Sequence, residues 1–511
     1  MNDLSPRNQL RHKRISFACP AVAYFLAGLL SLCQPAWGQS LTLAPAPVPQ
    51  SSSSSNSGNQ SSNSQTSNPG AALSQSPFSG SIPEGKATGE ILPLSFKDAV
   101  DRGLRNNLGL LLQSDTSLTA QGEKWKELSE LLPHVNAIVN QSVEQIDLAA
   151  FGFRFNFPGI PNVVGPIGVF QTGAYLTQSV FDYHAIERKR GASYNERAAQ
   201  YSLKNARDLV VLAVGNSYLV TLSGAARVAT AQADVETAQA LYDKAADQQK
   251  AGVIPAIDAL RAHVELQSRQ QDLIVARNDY AKQKLTLGRV IGLPPGQEFN
   301  LTTAAPYEPL ATLPLEQDLQ RAYASRPDYL AAAQQVRSAE EFRRAATAEY
   351  YPSLEIAGNY GAAGIRPGSS HGVFDVGATL DIPIFAGGRT HADVLEAEST
   401  LRQSRQQLEN LRGQIDYEVR SARLDLNSAA EQVEVAKSSV DLAKQTLEQA
   451  QDRFTAGVTD NLEVVQAQDS LTSANQTYIS ALYSHNLAKI ELAKAVGVAE
   501  EGVKQYLQNQ K

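Results

Sequence analysis

The chain of 511 residues contains only two cysteines, Cys19 and Cys33. Both lie within the first 38 residues, where four basic side chains precede an apolar run that ends at Ala36-Trp37-Gly38. This is the pattern of a secretory signal peptide, and we predict cleavage after Gly38. The exported chain then has no thiol, which excludes disulfides and cysteine-ligated metal sites.

Long apolar runs, excess positive charge and catalytic motifs are also missing beyond the signal. No later segment has 18 consecutive apolar residues, so the pattern predicts no transmembrane helix after the signal. The remaining 41 basic and 51 acidic residues give a net charge of −10, which argues against a nucleic-acid partner. Histidine pairs at ligand spacing, phosphate-binding loops and nucleophile elbows are absent. We therefore expect no enzyme, no metal site and no cofactor.

A low-complexity leader follows the signal. Residues 39–93 consist mainly of Ser, Asn, Gln, Pro and Gly, with too little apolar surface to offset the entropy of ordering. We predict a leader without fixed structure. One alternative concerns Cys33, because Leu30-Ser31-Leu32-Cys33 resembles a lipoprotein cleavage box and would make this residue a lipid anchor. Bulky Leu32, where such boxes have a small residue, favours the signal peptide.

The rest of the chain is two copies of one unit. Residues 94–133 match residues 313–352 at an offset of 219, and residues 250–292 match residues 455–497 at an offset of 205. Fixed-period similarity of this kind indicates a structural repeat. The predicted divisions are a first copy over residues 94–292, a proline-rich linker over 293–314, a second copy over 315–497 and a tail over 498–511.

Each copy has the same order of hydrophobic periods. A short helix is predicted at about residues 95–106 or 315–325, and a second helix follows it. Two strands come next, and the last of them alternates apolar Phe374, Val376 and Leu380 with polar residues. Residues 185–250 and 389–455 contain no proline, and each segment would span on the order of 100 Å as a helix. Apolar residues in the second segment recur at steps of three and four, which is typical of supercoiled helices.

Four strands per chain, each of about ten residues with one apolar face, have the length of membrane-spanning strands. Four strands cannot close a barrel, and an open edge in lipid leaves backbone groups unpaired. We therefore predict that several chains share one barrel, which a tube of helices continues into water. Between the two, Pro383 suits a strand end and Gly387 and Gly388 allow the turn into the helix. The predicted fold class is mixed, mainly α with membrane β.

The two-fold repeat carries three motifs: PIFAGGR at residues 383–389, RPDYL at 326–330 and RFTAGVTDNLEVVQAQDSL at 453–471. Together they resemble the TolC family of outer-membrane efflux proteins, over about residues 94–497. The resemblance implies a homotrimer in outer-membrane lipid, with a shared twelve-strand β-barrel and a long periplasmic α-helical barrel. It implies the passive exit duct of a tripartite efflux pump, with a periplasmic adaptor and an inner-membrane transporter as partners. The last motif favours the branch that serves resistance-nodulation-division exporters.

The resemblance also implies a periplasmic constriction formed by carboxylates one turn into the helix after each tip. Glu463 takes the first such position, whereas the second is Gln466, which departs from the two-ring pattern. The internal repeat places Asp258 opposite Glu463. Carboxylates crowded in a trimer would raise one another's pKa and attract cations. The alternative interpretation is an acid favoured by the helix dipole.

Adaptor docking is implied at the tips between the long and the return helices, although a glycine C-cap alone would explain the same residues. These tip residues are Ala251, Gly252, Val253, Ala456, Gly457 and Val458. Two alternative functions stay open: the channel of a type I protein secretion system, and a periplasmic coiled-coil scaffold. A hypothesis for the longer first loop, residues 151–168, is that it narrows the outer mouth.

Overall fold

The computed structural model describes most of the chain beyond the leader. The described residues are 77–147, 150, 152, 163–302, 307–310, 314–459, 461–500 and 502. The expected signal peptide, the larger part of the leader, residues 153–162 of the first loop and the tail beyond 502 lie outside this part.

The helices and strands repeat between the copies. The first copy comprises β1 (Leu92–Leu94), α1 (Phe96–Asn106), α2 (Leu108–Ser129), β2 (His134–Asp147), β3 (Val163–Phe181), α3 (Tyr183–Lys250) and α4 (Ala256–Val290). The linker holds β4 (Phe299–Leu301). The second copy comprises α5 (Leu315–Ser325), α6 (Pro327–Ala348), β5 (Ser353–Gly364), β6 (Ser370–Asp381), α7 (Arg389–Thr455) and α8 (Asn461–Ala495).

The four long strands form one antiparallel sheet in the order β2-β3-β5-β6. The two copies meet at its centre, where Gly173 of β3 lies opposite Gly361 of β5. The extra residues of the first copy lengthen its hairpin, since the pairing of β2 and β3 continues to Asp147 and Val163. Strands β2 and β6 each have one edge without a partner strand in the described chain.

The long helices match their predicted bounds and pack side by side. Helices α3 and α7 have 68 and 67 residues. Helix α3 packs against α2 and α4 on one side and against α6 and α8 on the other, while α7 packs against α6 and α8. The apolar residues that recur at steps of three and four in α7 are buried along most of the helix, for example Ile415, Val433 and Phe454. Apolar side chains at three-four spacing therefore do line these contacts.

The helix layer leaves one side of α2 and α4, and one side of α7, without a neighbour in the described chain. Large apolar side chains are exposed on all three helices. They are Leu108, Leu111, Leu112, Leu118 and Trp125 on α2, Ile257, Leu260, Val264, Ile274, Val275 and Leu285 on α4, and Leu395, Tyr417, Leu424, Val435 and Leu442 on α7. Both edges of the layer thus resemble unfinished helix interfaces.

The largest apolar cluster lies where the short helices meet α3. It includes Val210, Val214 and Tyr218 of α3, with Phe96 of α1 stacked edge-on against the Tyr218 ring. Helix α3 is also the described helix that contains a stretch apolar enough to cross a membrane, with mean hydropathy 1.6. Val210, Val211, Val214 and Leu219 of this helix are buried in the cluster, and Leu212 and Leu222 are partly buried against it.

The end of the leader differs from the prediction. A leader without fixed structure up to residue 93 is wrong for residues 77–93, which run along the first copy. The N–H groups of Ser81 and Glu84 donate to the carbonyls of Arg289 and Gly292, both at 3.1 Å. Phe78 packs against the apolar cluster, and β1 pairs in parallel with β4 of the linker. Composition averaged over the whole leader concealed these few apolar residues.

Candidate functional site: the helix tips and the strand-to-helix junctions

The two tips have the same backbone conformation. In each, the glycine after the long helix is left-handed, with φ +70° at both Gly252 and Gly457. The N–H of Val253 donates to the carbonyl of Gln248 (2.9 Å), and that of Val458 donates to the carbonyl of Arg453 (3.0 Å). These bonds close a Schellman-type cap. They leave the Val253 and Val458 side chains 69% and 70% exposed at matching ends of two helical hairpins.

Each predicted constriction carboxylate has an arginine partner. Arg261 Nη1 lies 3.3 Å from Asp258 Oδ1, one turn further along α4. Arg453, in the last turn of α7, pairs with Glu463 across the tip, and the Thr459 hydroxyl also donates to this carboxylate. The Glu463 side chain is 36% exposed and that of Asp258 only 14%. The two carboxylates are therefore compensated within the chain, and Glu463 is the more accessible one.

Sequence reasoning overlooked both arginines. The spacing of Asp258 and Arg261 is visible in the sequence as an i, i+3 pair. The second pair forms only because the tip brings the end of α7 beside the start of α8. Gln466 is exposed, and its backbone carbonyl accepts a bond from the Ser470 hydroxyl (2.8 Å). The two tips also touch, since Asn461 Nδ2 donates to the carbonyl of Asp258 (3.1 Å).

A polar network joins the hairpins above the tips, and no sequence motif indicated it. Buried Arg269 of α4 binds Glu265 of its own helix (2.6 Å) and Asp469 of α8. Next to it, Thr472 Oγ1 of α8 donates to Asp234 Oδ2 of α3 (3.1 Å). Burial raises the pKa of Asp234. Any movement that separates α8 from α3 and α4 must break these contacts.

The strand-to-helix junctions differ between the copies. Strand β3 passes into α3 through one residue, Asp182, whose carboxylate caps the helix by accepting the N–H of Ala185 (3.0 Å). Strand β6 ends at Asp381, two residues before Pro383, which has no ladder donor. Gly387 and Gly388 follow with φ +62° and +88°, and Gly388 is the N-cap of α7. The predicted glycine turn is thus present at this junction.

The geometry comprises a four-strand sheet, long helical hairpins and paired tips. A family model described as outer membrane efflux protein matches residues 162–293 and 319–498. The chain belongs to the outer membrane efflux protein family. Its strands lie in the outer membrane and its long helices extend into the periplasm. This membership sets aside the scaffold alternative. Within the described residues, no group of His, Cys, Asp and Glu side chains is placed to hold a metal ion.

Individual relatives cover most of the chain at low identity. The outer membrane protein TolC of Escherichia coli K12 is 22% identical over 345 residues, which are 64% of this chain and 69% of TolC. The alkaline protease secretion protein AprF of Pseudomonas aeruginosa is 22% identical over 81% of this chain and 88% of AprF. The solved structure of CusC has a TM-score of 0.66 at 19% identity, covering 82% of this chain and 99% of CusC. The structural likeness establishes the TolC-like fold.

Proposed function

We propose that three copies of the chain form the passive exit duct of a tripartite efflux pump. The observation that carries this proposal is the pair of unpaired sheet edges on β2 and β6. An unpaired edge in hydrocarbon costs several kcal/mol per backbone group, so the edge of β6 requires the β2 edge of a neighbouring copy. Three four-stranded sheets joined in this way close a barrel of twelve strands.

The helices support the same head-to-tail assembly. The exposed apolar residues of α7 and those of α2 and α4 lie at opposite edges of one layer, so each edge can pack against the other edge of the next copy. Such an interface is heterologous and closes into a ring when the rotation between copies matches. The ring of helices then continues the β-barrel as one tube from the membrane into the periplasm.

The tips are the proposed contact with a periplasmic adaptor, which connects the duct to an inner-membrane transporter. Each of the two tips presents one exposed valine, Val253 or Val458, on a Schellman turn of the same conformation. A trimer therefore offers six nearly equivalent apolar knobs at its periplasmic end. This arrangement suits a partner that also repeats around the axis.

The proposed constriction lies beside these tips and carries Asp258 and Glu463, with Gln466 one turn further along α8. Arg261 and Arg453 partly neutralise the carboxylates. The net charge of the mouth therefore depends on the balance between these acids and these arginines. Removal of the acids and removal of the arginines should therefore act in opposite directions. A mouth lined by unpaired carboxylates concentrates cations, whereas unpaired arginines concentrate anions.

The test is single-channel recording of the purified protein in a planar bilayer. The double variant Asp258→Ala with Glu463→Ala should shift the channel towards anion selectivity, and Arg261→Gln with Arg453→Gln should shift it towards cation selectivity. Glu409→Ala removes an exposed acid from the part of α7 far from the tips and should leave selectivity unchanged. Channels indifferent to all three changes would move the constriction elsewhere, and a failure to insert would contradict the duct.

A second candidate, the channel of a type I protein secretion system, is favoured by the match to AprF along 88% of its length. The two functions differ in the transporter that delivers the substrate. In a host without its own outer-membrane channels, the chain would be expressed with either a resistance-nodulation-division pump or a protease exporter, each with its adaptor. Restored resistance with the first set supports efflux, and protease in the medium with the second supports secretion.

A further inference from the structure

The loop between β6 and α7 presents two large apolar side chains to solvent. Ile384 and Phe385 are 94% and 88% exposed, the highest values among the large apolar side chains of the described residues. Full burial of such side chains is worth about 1.5–3 kcal/mol each. Two adjacent side chains of this kind on one loop indicate a contact surface.

Local backbone hydrogen bonds form the turn by which this loop enters α7. The N–H of Arg389 donates to the carbonyl of Ala386 (3.2 Å), and the N–H of Ala392 donates to that of Gly388 (3.1 Å). The left-handed glycines at 387 and 388 have no neighbouring atom near the position of an added Cβ. The turn is therefore formed without support from packing, and the side chains before it remain available.

The loop continues the surface of β6 that meets lipid. Phe374, Val376 and Leu380 are exposed along this strand, and the strand lies in the outer membrane. Ile382 and Ile384 follow at the same two-residue spacing just beyond the strand end. Arg389 then begins α7 with an 81% exposed side chain, whose Nε lies 3.6 Å from Asp393 Oδ2. Apolar side chains followed by a cation are the sequence of groups expected at a boundary between hydrocarbon and phosphate headgroups.

The first junction has no loop of this kind, although Val180 and Phe181 at the end of β3 are 53% and 47% exposed. Strand β3 enters α3 through Asp182 alone, and the Tyr183 ring packs edge-on against Tyr351 at 5.8 Å. Of the two strand-to-helix junctions in the described residues, only the second therefore has an exposed apolar loop. In a closed ring of copies it would recur once per copy around the periplasmic rim of the barrel.

We propose that the loop at residues 382–388 is a docking surface for phospholipid. Ile384 and Phe385 insert into the periplasm-facing leaflet of the outer membrane at the boundary of headgroups and acyl chains. This contact sets the depth of the barrel and holds the start of α7 at the membrane surface. The proposal requires the membrane location of the sheet but not the identity of the pump.

The test uses spin labels, because the exported chain has no cysteine of its own. Phe385→Cys carries a nitroxide in protein reconstituted into vesicles of phosphatidylethanolamine and phosphatidylglycerol. The accessibility of the label is measured to oxygen, which concentrates in lipid, and to a water-soluble nickel chelate. Phe374→Cys on β6 is the lipid reference, and Val253→Cys at the tip is the water reference.

We expect the oxygen-to-nickel ratio at position 385 to exceed that at position 253 severalfold and to approach that at position 374. A ratio equal to that at position 253 would place the loop in water and overturn the proposal. Low accessibility to both reagents would place it between protein chains, which also overturns it. Ile384→Cys repeats the measurement if the first variant does not assemble.

Discussion

The two copies of the repeat form the same corner between their short helices but fill it with different chemistry. Asn107 of the first copy and Arg326 of the second occupy equivalent positions at the offset of 219, and both are buried. Asn107 caps α2 by accepting the N–H of Leu110 (3.3 Å) and donates to the carbonyl of Phe78 (2.6 Å). Arg326 instead binds Asp328 with two bonds and Glu418 at 2.7 Å.

The difference follows from what covers each corner. The end of the leader crosses the first corner, where the N–H of Leu108 donates to the carbonyl of Gly80 (3.0 Å). No such segment crosses the second corner in the described part of the chain, and the long guanidinium occupies the space. The glycine after each return helix, Gly292 or Gly497, has a left-handed backbone conformation. A Cβ atom at either position would lie within 3 Å of atoms of its corner. The two corners thus have the same backbone geometry. Their buried side chains differ because the end of the leader covers only the first corner.

The largest expected effect comes from the second corner. Arg326→Ala leaves Asp328 and Glu418 without their buried partner and should lower the free energy of unfolding by about 3–5 kcal/mol. Asn107→Ala removes two uncharged hydrogen bonds, the cap and the bond to the Phe78 carbonyl, and should cost about 1–3 kcal/mol. Denaturant or thermal unfolding of the purified protein in detergent measures both. Equal losses would contradict the comparison, because they would make the charge network no more important than the cap.

The strand-to-helix junctions give the next effect. Gly388→Val forces a β-branched residue into a left-handed conformation, which should cost roughly 1–2 kcal/mol. Gly413→Ala is the matched control, because Gly413 lies inside α7 with open space around it. Alanine there should stabilise the helix by up to about 1 kcal/mol. A stabilising Gly388→Val variant would show that the second junction does not need its glycine.

The first junction should respond to its side chain instead. Asp182→Ala removes the acceptor for the Ala185 N–H and should cost about 1 kcal/mol. Asp182→Asn retains a capping oxygen and should remain close to the parent in the same unfolding assay. If both variants lose the same stability, the charge at this position matters more than the cap.

The smallest effect concerns pH and again separates the copies. Asp208 of α3 is buried beside Glu500, and burial raises its pKa from 3.8 to about 6. The equivalent position of α7 is Gly413, which has no carboxyl group. Because the folded state holds this proton more tightly, the contribution to stability is complete below pH 3.8 and is lost as pH rises through about 6.

Lowering the pH from 7 to 6 should therefore stabilise the parent by roughly a few tenths of a kcal/mol through this group. Asp208→Asn cannot titrate, and its Tm should change less over the same interval. Parallel Tm curves for parent and variant would assign the pH dependence to other groups.

Much of the architecture could be predicted from the sequence because it depends on periodic, local signals. The absence of proline over residues 389–455 and the glycine at 457 marked both ends of α7, and the structure places them there. The corner and tip chemistry could not be read in the same way. Arg453 meets Glu463 only after the tip has turned the chain back on itself. Arg269 meets Asp469, 200 residues away, only after the two hairpins have packed together.

The sequence by itself determined the two-fold repeat, the two long helical hairpins, the alternating strands and the glycines that turn between them. These features depend on the spacing of residues along the chain, and this spacing is the same whether or not the chain is folded. Only the tertiary structure decided which charges are compensated, how the end of the leader covers the first corner, and that Ile384 and Phe385 remain uncovered. Those outcomes depend on which distant surfaces meet, and burial and pairing energies are defined only once they have met.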